Sequence, residues 1–155
     1  MATIELAIDG GAAVDMEEVY GLRYIGSDNR FGAPIREMAV SKYAEEAGEH
    51  TDRRTVEEAF DYKIRFVIEA VPGRLTGVNY RIAQLNNAMR KVAAGGGQVV
   101  TFRRWTLYNG HKGVRISGIP RPIEEVERWW RDGMECAVVE LTIHADRPGE
   151  CSFWA

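Results

Sequence analysis

The stretch that decides the fold is a strand followed closely by a helix. Tyr62–Ala70 reads YKIRFVIEA, and Leu75–Ala93 reads LTGVNYRIAQLNNAMRKVA. The first run alternates apolar and polar side chains, which is typical of a strand with one buried face. The second places apolar residues three and four positions apart, which predicts an amphipathic helix over about 75–93. Three glycines at 95–97 then favour a helix end.

Alternating patterns on both sides of this unit predict more strands, at about 4–8, 20–24, 100–102, 105–107, 114–119 and 139–145. The phase of alternation changes at Arg103-Arg104, which indicates either a bulge or two separate strands. Asn109-Gly110 is the strongest hairpin signal in the chain and predicts a type I′ turn. The expected fold is mainly β (α+β): an antiparallel β-sandwich with one helix packed on it, forming a single domain over 1–155.

Two segments differ from this pattern. Residues 41–61 carry seven acidic and three basic side chains, a charge of −4, which leaves +1 for the rest of the chain. With few apolar residues, this segment is predicted to be a polar arm or hairpin. Residues 123–133 are rich in charge and contain Trp129-Trp130, and they are interpreted as a polar loop or a short edge segment.

Composition excludes several classes of protein. A net charge of −3 and a pI near 5.7 argue against broad electrostatic binding of nucleic acid. The N-terminus lacks the basic start and apolar run of a secretory signal. No stretch approaches the roughly 20 apolar residues of a membrane helix. Two cysteines are too few for a disulfide scaffold, so a cytoplasmic site of synthesis with reduced thiols is expected.

No constellation of residues points to catalysis. His50, His111 and His144 lie far apart and match no zinc-binding spacing. The carboxylates near 57–61 and 124–127 lie in polar segments, where adjacent acids are usually solvated. We therefore expect no catalytic residue, no metal and no cofactor, and a protein that is not an enzyme.

Exposed arginines and aromatic side chains instead favour an interface between subunits. Adjacent tryptophans on an extended segment face opposite sides, so one of Trp129 and Trp130 is expected to point outward, whereas the other is as readily explained by core filling. Arginines suit charge pairing and aromatics suit desolvated anchoring. The candidate interface residues are Arg53, Arg54, Trp105, Tyr108, Trp129 and Trp130.

Four segments together resemble a known family. They are EHTDRRTVEEAFDYKIRFVIEA (49–70), RIAQLNNAMRKVAAGGG (81–97), RRWTLYNGHKGVRISGIPRPIE (103–124) and CAVVELTIHADRP (136–148). Their order and pattern resemble the N-terminal ring-forming domain of phage distal tail proteins, a β-sandwich with one helix between central strands. The resemblance covers most of residues 35–148. Many members of that family continue into a second, host-directed domain.

The resemblance implies a structural protein of a phage or prophage tail, located in the virion tail and made in the host cytoplasm. It implies a homo-oligomer, a hexameric ring at the tail tip, that docks the tail tube on one side and tip proteins on the other. The arm at 41–61 would bridge neighbouring copies. Tail-tube and tail-terminator proteins are close alternatives. A carbohydrate-binding β-sandwich module is a second class, and a small enzyme with a pocket built from distant residues is a third.

Overall fold

A computed structural model of the chain describes residues 3–29, 31–37, 40–41, 50–51, 55–70, 77–92 and 100–153. Its helices are α1 (Met16–Tyr20) and α2 (Val78–Ala88), and Pro148–Glu150 forms a 3₁₀ turn. The strands are β1 (Ile4–Ile8), β2 (Val14–Asp15), β3 (Arg23–Ser27), β4 (Ile35–Glu37), β5 (Val40–Ser41), β6 (His50–Thr51), β7 (Thr55–Glu57), β8 (Phe60–Ala70), β9 (Arg90–Val92), β10 (Val100–Phe102), β11 (Trp105–Asn109), β12 (Val114–Pro120), β13 (Glu124–Arg131), β14 (Met134–Ala145) and β15 (Ser152–Phe153).

The main sheet has two parts that share β12. The first half-sheet contains β2, β1, β11, β12 and β15, and the second runs in the order β13, β14, β8, β3. All pairings between described strands are antiparallel. Buried side chains from both halves form one hydrophobic cluster. The predicted fold class, mainly β with a sandwich-like arrangement, is confirmed.

The strand at 62–70 is confirmed and is longer than predicted. β8 pairs with β14 without interruption from Phe60, opposite Ala145, to Ala70, opposite Glu135. Alternate side chains of β8 are buried, as the sequence pattern predicts. This pair forms the middle of the second half-sheet, with β13 paired to β14 on one side and β3 paired to β8 on the other.

The helix packs where it was predicted to but is shorter. α2 contacts β8, β14 and α1, and it buries Val78 and Leu85, with Met89 buried at its C-cap. The prediction placed Val92 on the helix, whereas Arg90–Val92 is the strand β9 and pairs with β10. The Met89 carbonyl accepts a hydrogen bond from the Arg103 amide at 2.8 Å. Tertiary pairing therefore ends the helix before its periodic pattern ends. Positions 75 and 95–97 lie outside the described residues.

The hairpin predicted at Asn109-Gly110 forms, but its turn is not type I′. Asn109 pairs with Val114, so four residues form the loop, and the left-handed residue is Gly113 with φ 64°. The phase change at Arg103-Arg104 separates two strands, β10 and β11, which is one of the two predicted outcomes.

A buried polar network explains why Asn109 remains in the strand. Its side-chain amide donates to the Ser27 hydroxyl and to the Tyr62 hydroxyl, both at 3.1 Å, and its side-chain oxygen accepts from the His111 amide. The His111 ring stacks on Tyr24 with centroids 4.4 Å apart. These contacts join the β11–β12 loop of the first half-sheet to β3 and β8 of the second.

Gly118 marks the place where β12 passes from one half-sheet to the other. Up to this residue β12 pairs with β11, and from Ile119 it pairs with β14. A Cβ atom at Gly118 would lie 2.1 Å from the His144 carbonyl oxygen and 3.0 Å from the Ala145 Cα. Only glycine allows two backbones to approach this closely.

We predict that Gly118→Ala destabilises the fold by about 3 kcal/mol, because the obstructing atoms are backbone and cannot rotate away. Urea unfolding measures this change. Gly26→Ala is the matched control, since no atom lies within 4 Å of its added Cβ, and its effect should remain within about 1 kcal/mol. Equal stability of the two variants would contradict the close approach at β12.

We predict that the fold loses stability as the pH rises above about 10, the pKa of an exposed tyrosine. Burial raises the pKa of Tyr62, and burial also raises the pKa of Tyr20. A folded-state pKa above the unfolded value gives stability that is complete below the unfolded pKa and is lost at higher pH. Tyr62→Phe should cost about 1 kcal/mol near neutral pH and reduce the alkaline loss. Unfolding curves at pH 7 and 10.5 test both effects, with Tyr108→Phe as an exposed control.

Candidate subunit interface

β13 is one of the two edge strands of the second half-sheet, at the opposite edge from β3. Within the described part of the chain it pairs only with β14, which is itself covered on its other side by β8. Nearly all its residues are exposed, and 63% of the surface of Trp130 is accessible to solvent. An edge strand leaves a row of backbone N–H and C=O groups without strand partners, so β13 is a surface to which another chain can add.

A tight two-residue turn connects β13 to β14. Arg131 pairs with Met134, and the turn residues Asp132 and Gly133 have φ values of 49° and 77°. Positive φ at both positions is the backbone of a type I′ turn, for which Asp-Gly is a preferred sequence. This dipeptide is the sequence signal for the hairpin. Of the two structures predicted for 123–133, a polar loop or a short edge segment, the structure shows the edge segment, as an eight-residue strand.

Trp129 and Trp130 lie beside this turn and face opposite sides of the sheet. Trp129 pairs with Cys136 and is partly covered, whereas Trp130 pairs with Glu135, next to Ala70 of β8. Cys136 itself is buried although it lies on the outer face of the sheet. One tryptophan is thus partly embedded and the other projects into solvent, in agreement with the expected alternation.

Arg128 braces the hairpin against the rest of the subunit. Its guanidinium pairs with Glu125 and Glu135, and it donates a 2.9 Å hydrogen bond to the Asn79 side chain in the first turn of α2. The hydrogen bond that Arg128 donates to Glu125 is the main cause that raises the pKa of Arg128. The side chain is 29% exposed, so the network is partly shielded from water. Charge-assisted bonds from one planar group restrict the orientation of the strand.

A bulge interrupts the open edge near its start. The register of β13 against β14 shifts between Glu125 and Glu127, leaving Val126 as the extra residue, which is 47% exposed. Bulges twist an edge and prevent indiscriminate strand addition. The regular part of the edge is therefore 127–131, which includes both tryptophans.

The other predicted interface residues are not gathered here. Trp105 is fully buried in the core, and its indole N–H has no hydrogen-bond partner among the described residues. Tyr108 is 38% exposed on the first half-sheet, where it pairs with Glu5 and Arg115. Arg53 and Arg54 lie outside the described residues, as does most of the arm at 41–61. The structure thus brings together only Trp129 and Trp130.

Comparison with known proteins gives a likeness of fold. No known sequence family and no curated protein matches the chain. Among solved structures, the chain matches the Dit protein (gp 19.1) of phage SPP1, described as a paradigm of the hub adsorption apparatus in phages that infect Gram-positive bacteria. The TM-score is 0.55 at 14% sequence identity, and the match covers 94% of this chain and 50% of the Dit chain. The chain thus shares its fold with part of this phage hub protein.

Two other features concern metal binding and membrane spanning. In the parts of the chain that the structure describes, no three or more His, Cys, Asp or Glu side chains are placed to hold a metal ion. Neither α1 nor α2 has the length and apolar character needed to cross a bilayer.

We predict that Arg128→Met loosens β13 without unfolding the protein. Methionine keeps the apolar stem but removes the contacts to Glu125, Glu135 and Asn79. Amide exchange at 124–131 should become about tenfold faster, the equivalent of about 1.4 kcal/mol of local stability. Arg131→Met is the matched control, because its contact to Asp132 is 3.9 Å long and 78% of its side chain is exposed. If both variants exchange alike, Arg128 does not brace the hairpin.

Proposed function

We propose that this protein is a non-enzymatic structural component of a phage or prophage tail, which associates with copies of itself through the β13–β14 hairpin. The observation that carries the proposal is an exposed tryptophan, Trp130, on an edge strand whose orientation is fixed by Arg128. The likeness of fold to a phage tail hub protein supports the tail assignment. The chain spans half of that protein, so its partners and arrangement remain part of the proposal.

In this proposal the protein forms a ring at the tail tip, as a distal tail protein does, and its two faces meet the tail tube and the tip proteins. Six copies is the number that the family resemblance favours. Trp130 and Trp129 act as the anchoring aromatics, because large, rigid side chains at the centre of an interface contribute most of its binding energy. Tyr108, on the other half-sheet, is available to a different partner.

A pre-ordered hairpin suits assembly for an energetic reason. Association must overcome the loss of translational and rotational freedom and of side-chain motion. The Arg128 network and the type I′ turn restrict the hairpin before any partner arrives, so less order remains to be imposed on binding. An interface of this kind can remain weak in solution and become stable in a closed ring, where each copy makes two contacts.

We predict that Trp130→Ala weakens self-association by about 30-fold or more, which corresponds to about 2 kcal/mol. Because most of the side chain is exposed, the stability of the single subunit should hardly change. Sedimentation velocity over a range of protein concentrations measures the association. Tyr80→Ala is the matched control, because Tyr80 is an aromatic residue with 44% exposure on α2, outside the β13–β14 hairpin.

Two outcomes would contradict the proposal. Wild-type protein that stays monomeric at every concentration tested would remove self-association. Saturable binding of a monomer to a glycan array, lost in Trp130→Ala, would favour a carbohydrate-binding module, since an exposed indole also stacks on sugar rings. Antibody labelling of purified phage particles tests location, and the label is expected at the tail tip.

A further inference from the structure

A second exposed surface, of mixed polarity and with two aromatic side chains, lies between the segment before β4 and the C-terminal segment of the described chain. It is a groove of about 360 Å³ lined by Phe31, Gly32, Ala33, Pro148, Cys151 and Phe153, with Glu57 among its lining residues. Phe31 is 91% exposed, more than the other large hydrophobic side chains that are exposed in the described residues. We call it the Phe31 groove. An aromatic side chain this exposed, next to a depression in the surface, is typical of a binding surface.

The Phe31 groove and Trp130 lie at opposite ends of the longest strand pair. Trp130 pairs with Glu135, which pairs with Ala70 at one end of β8. At the other end Phe60 contacts the ring of Phe153, a lining residue of the groove, with centroids 5.8 Å apart. A strand of eleven residues rises about 3.3 Å per residue, so about 33 Å separates the two ends. One chain cannot seat its own Trp130 in its own groove.

Charge at the two surfaces is complementary. Arg131 follows Trp130 and is 78% exposed, and its one ion-pair contact in the described chain is the long one to Asp132. Glu57 at the groove is exposed and forms no ion pair with any described residue. Arg147, beside Pro148, is 67% exposed and already pairs with Glu150 at 3.5 Å, so Glu57 is the charge at the groove that remains open to a partner. The exposed cation Arg131 beside Trp130 thus matches the exposed anion Glu57 at the groove.

We propose that the Phe31 groove of one copy receives Trp130 of the next copy, with Arg131 against Glu57. This inference rests on the proposed self-association and names its receiving surface. The contact joins two different surfaces, so it is heterologous, or head to tail. Such contacts close into rings when the rotation between copies allows it and otherwise continue as filaments. Each copy then carries one tip and one groove, and the assembly has a direction.

Complementation of two defective variants tests this arrangement. Trp130→Ala retains the groove, and Phe31→Ala retains the tip, and both side chains are exposed enough for the fold to tolerate the change. Each variant alone should be monomeric at concentrations where the wild type associates. Their equimolar mixture should form a one-to-one dimer that grows no further, because its remaining tip and its remaining groove are both defective. Sedimentation velocity distinguishes these species.

A control variant and a second measurement make the result decisive. Trp130→Ala mixed with the double variant Trp130→Ala/Phe31→Ala should remain monomeric, since that mixture contains no intact tip. Separately, Arg131→Glu should weaken association up to about fivefold, as exposed charge pairs do, and Arg131→Glu combined with Glu57→Arg should restore it. Photo-crosslinking from benzoylphenylalanine at position 130 should label peptides that contain residues 31–33 or 148–153.

The outcomes separate this inference from the proposed function. If the wild type associates but the two variants do not complement each other, and the crosslinks fall outside the groove, the receiving surface is wrong and self-association through β13 stands. If the wild type is monomeric throughout, the proposed function and this inference both fail. Complementation with crosslinks into the groove supports both.

Discussion

The uninterrupted pairing of β8 with β14 is the constraint on which the rest of this structure depends. It fixes the second half-sheet, receives α2 on its buried face, and carries β13 along the far side of β14. It also determines the distance between the hairpin turn at one end and the Phe31 groove at the other. The surfaces proposed for assembly are therefore held apart by the most regular element of the protein.

Two local devices attach the first half-sheet to this unit. The close approach at Gly118 lets β12 change partners from β11 to β14, and the hydrogen bonds of Asn109 tie the β11–β12 loop to Tyr62 and Ser27. One is a steric requirement and the other a buried polar network, and both act where the two halves meet. Burying polar groups only when they are fully bonded favours a single arrangement of the halves.

The features that sequence could predict were those with local patterns. Alternation revealed β8, apolar spacing revealed α2, and the further alternating runs along the chain predicted a mainly β fold. The helix ended early because β9 pairs with a strand ten residues further on, a contact that periodicity does not encode. For 123–133 the sequence left a loop and an edge segment open, since an exposed edge strand has no buried face and therefore little alternation, although Asp132-Gly133 signals its turn. The sequence predicts the same anchoring role at an interface for Trp105 and Trp130. Trp105 lies in the core and Trp130 on the surface, because burial depends on which strands become neighbours.

In the proposed assembly, β13 is an edge strand that becomes covered when copies associate. Amide exchange at low and high protein concentration measures this most directly. Amides at 127–131 should become more protected as association proceeds, while those of β11, which is already paired on both sides with β1 and β12, should keep their rates. Association detected by sedimentation with unchanged exchange at 127–131 would show that copies meet through another surface, and would contradict the central claim.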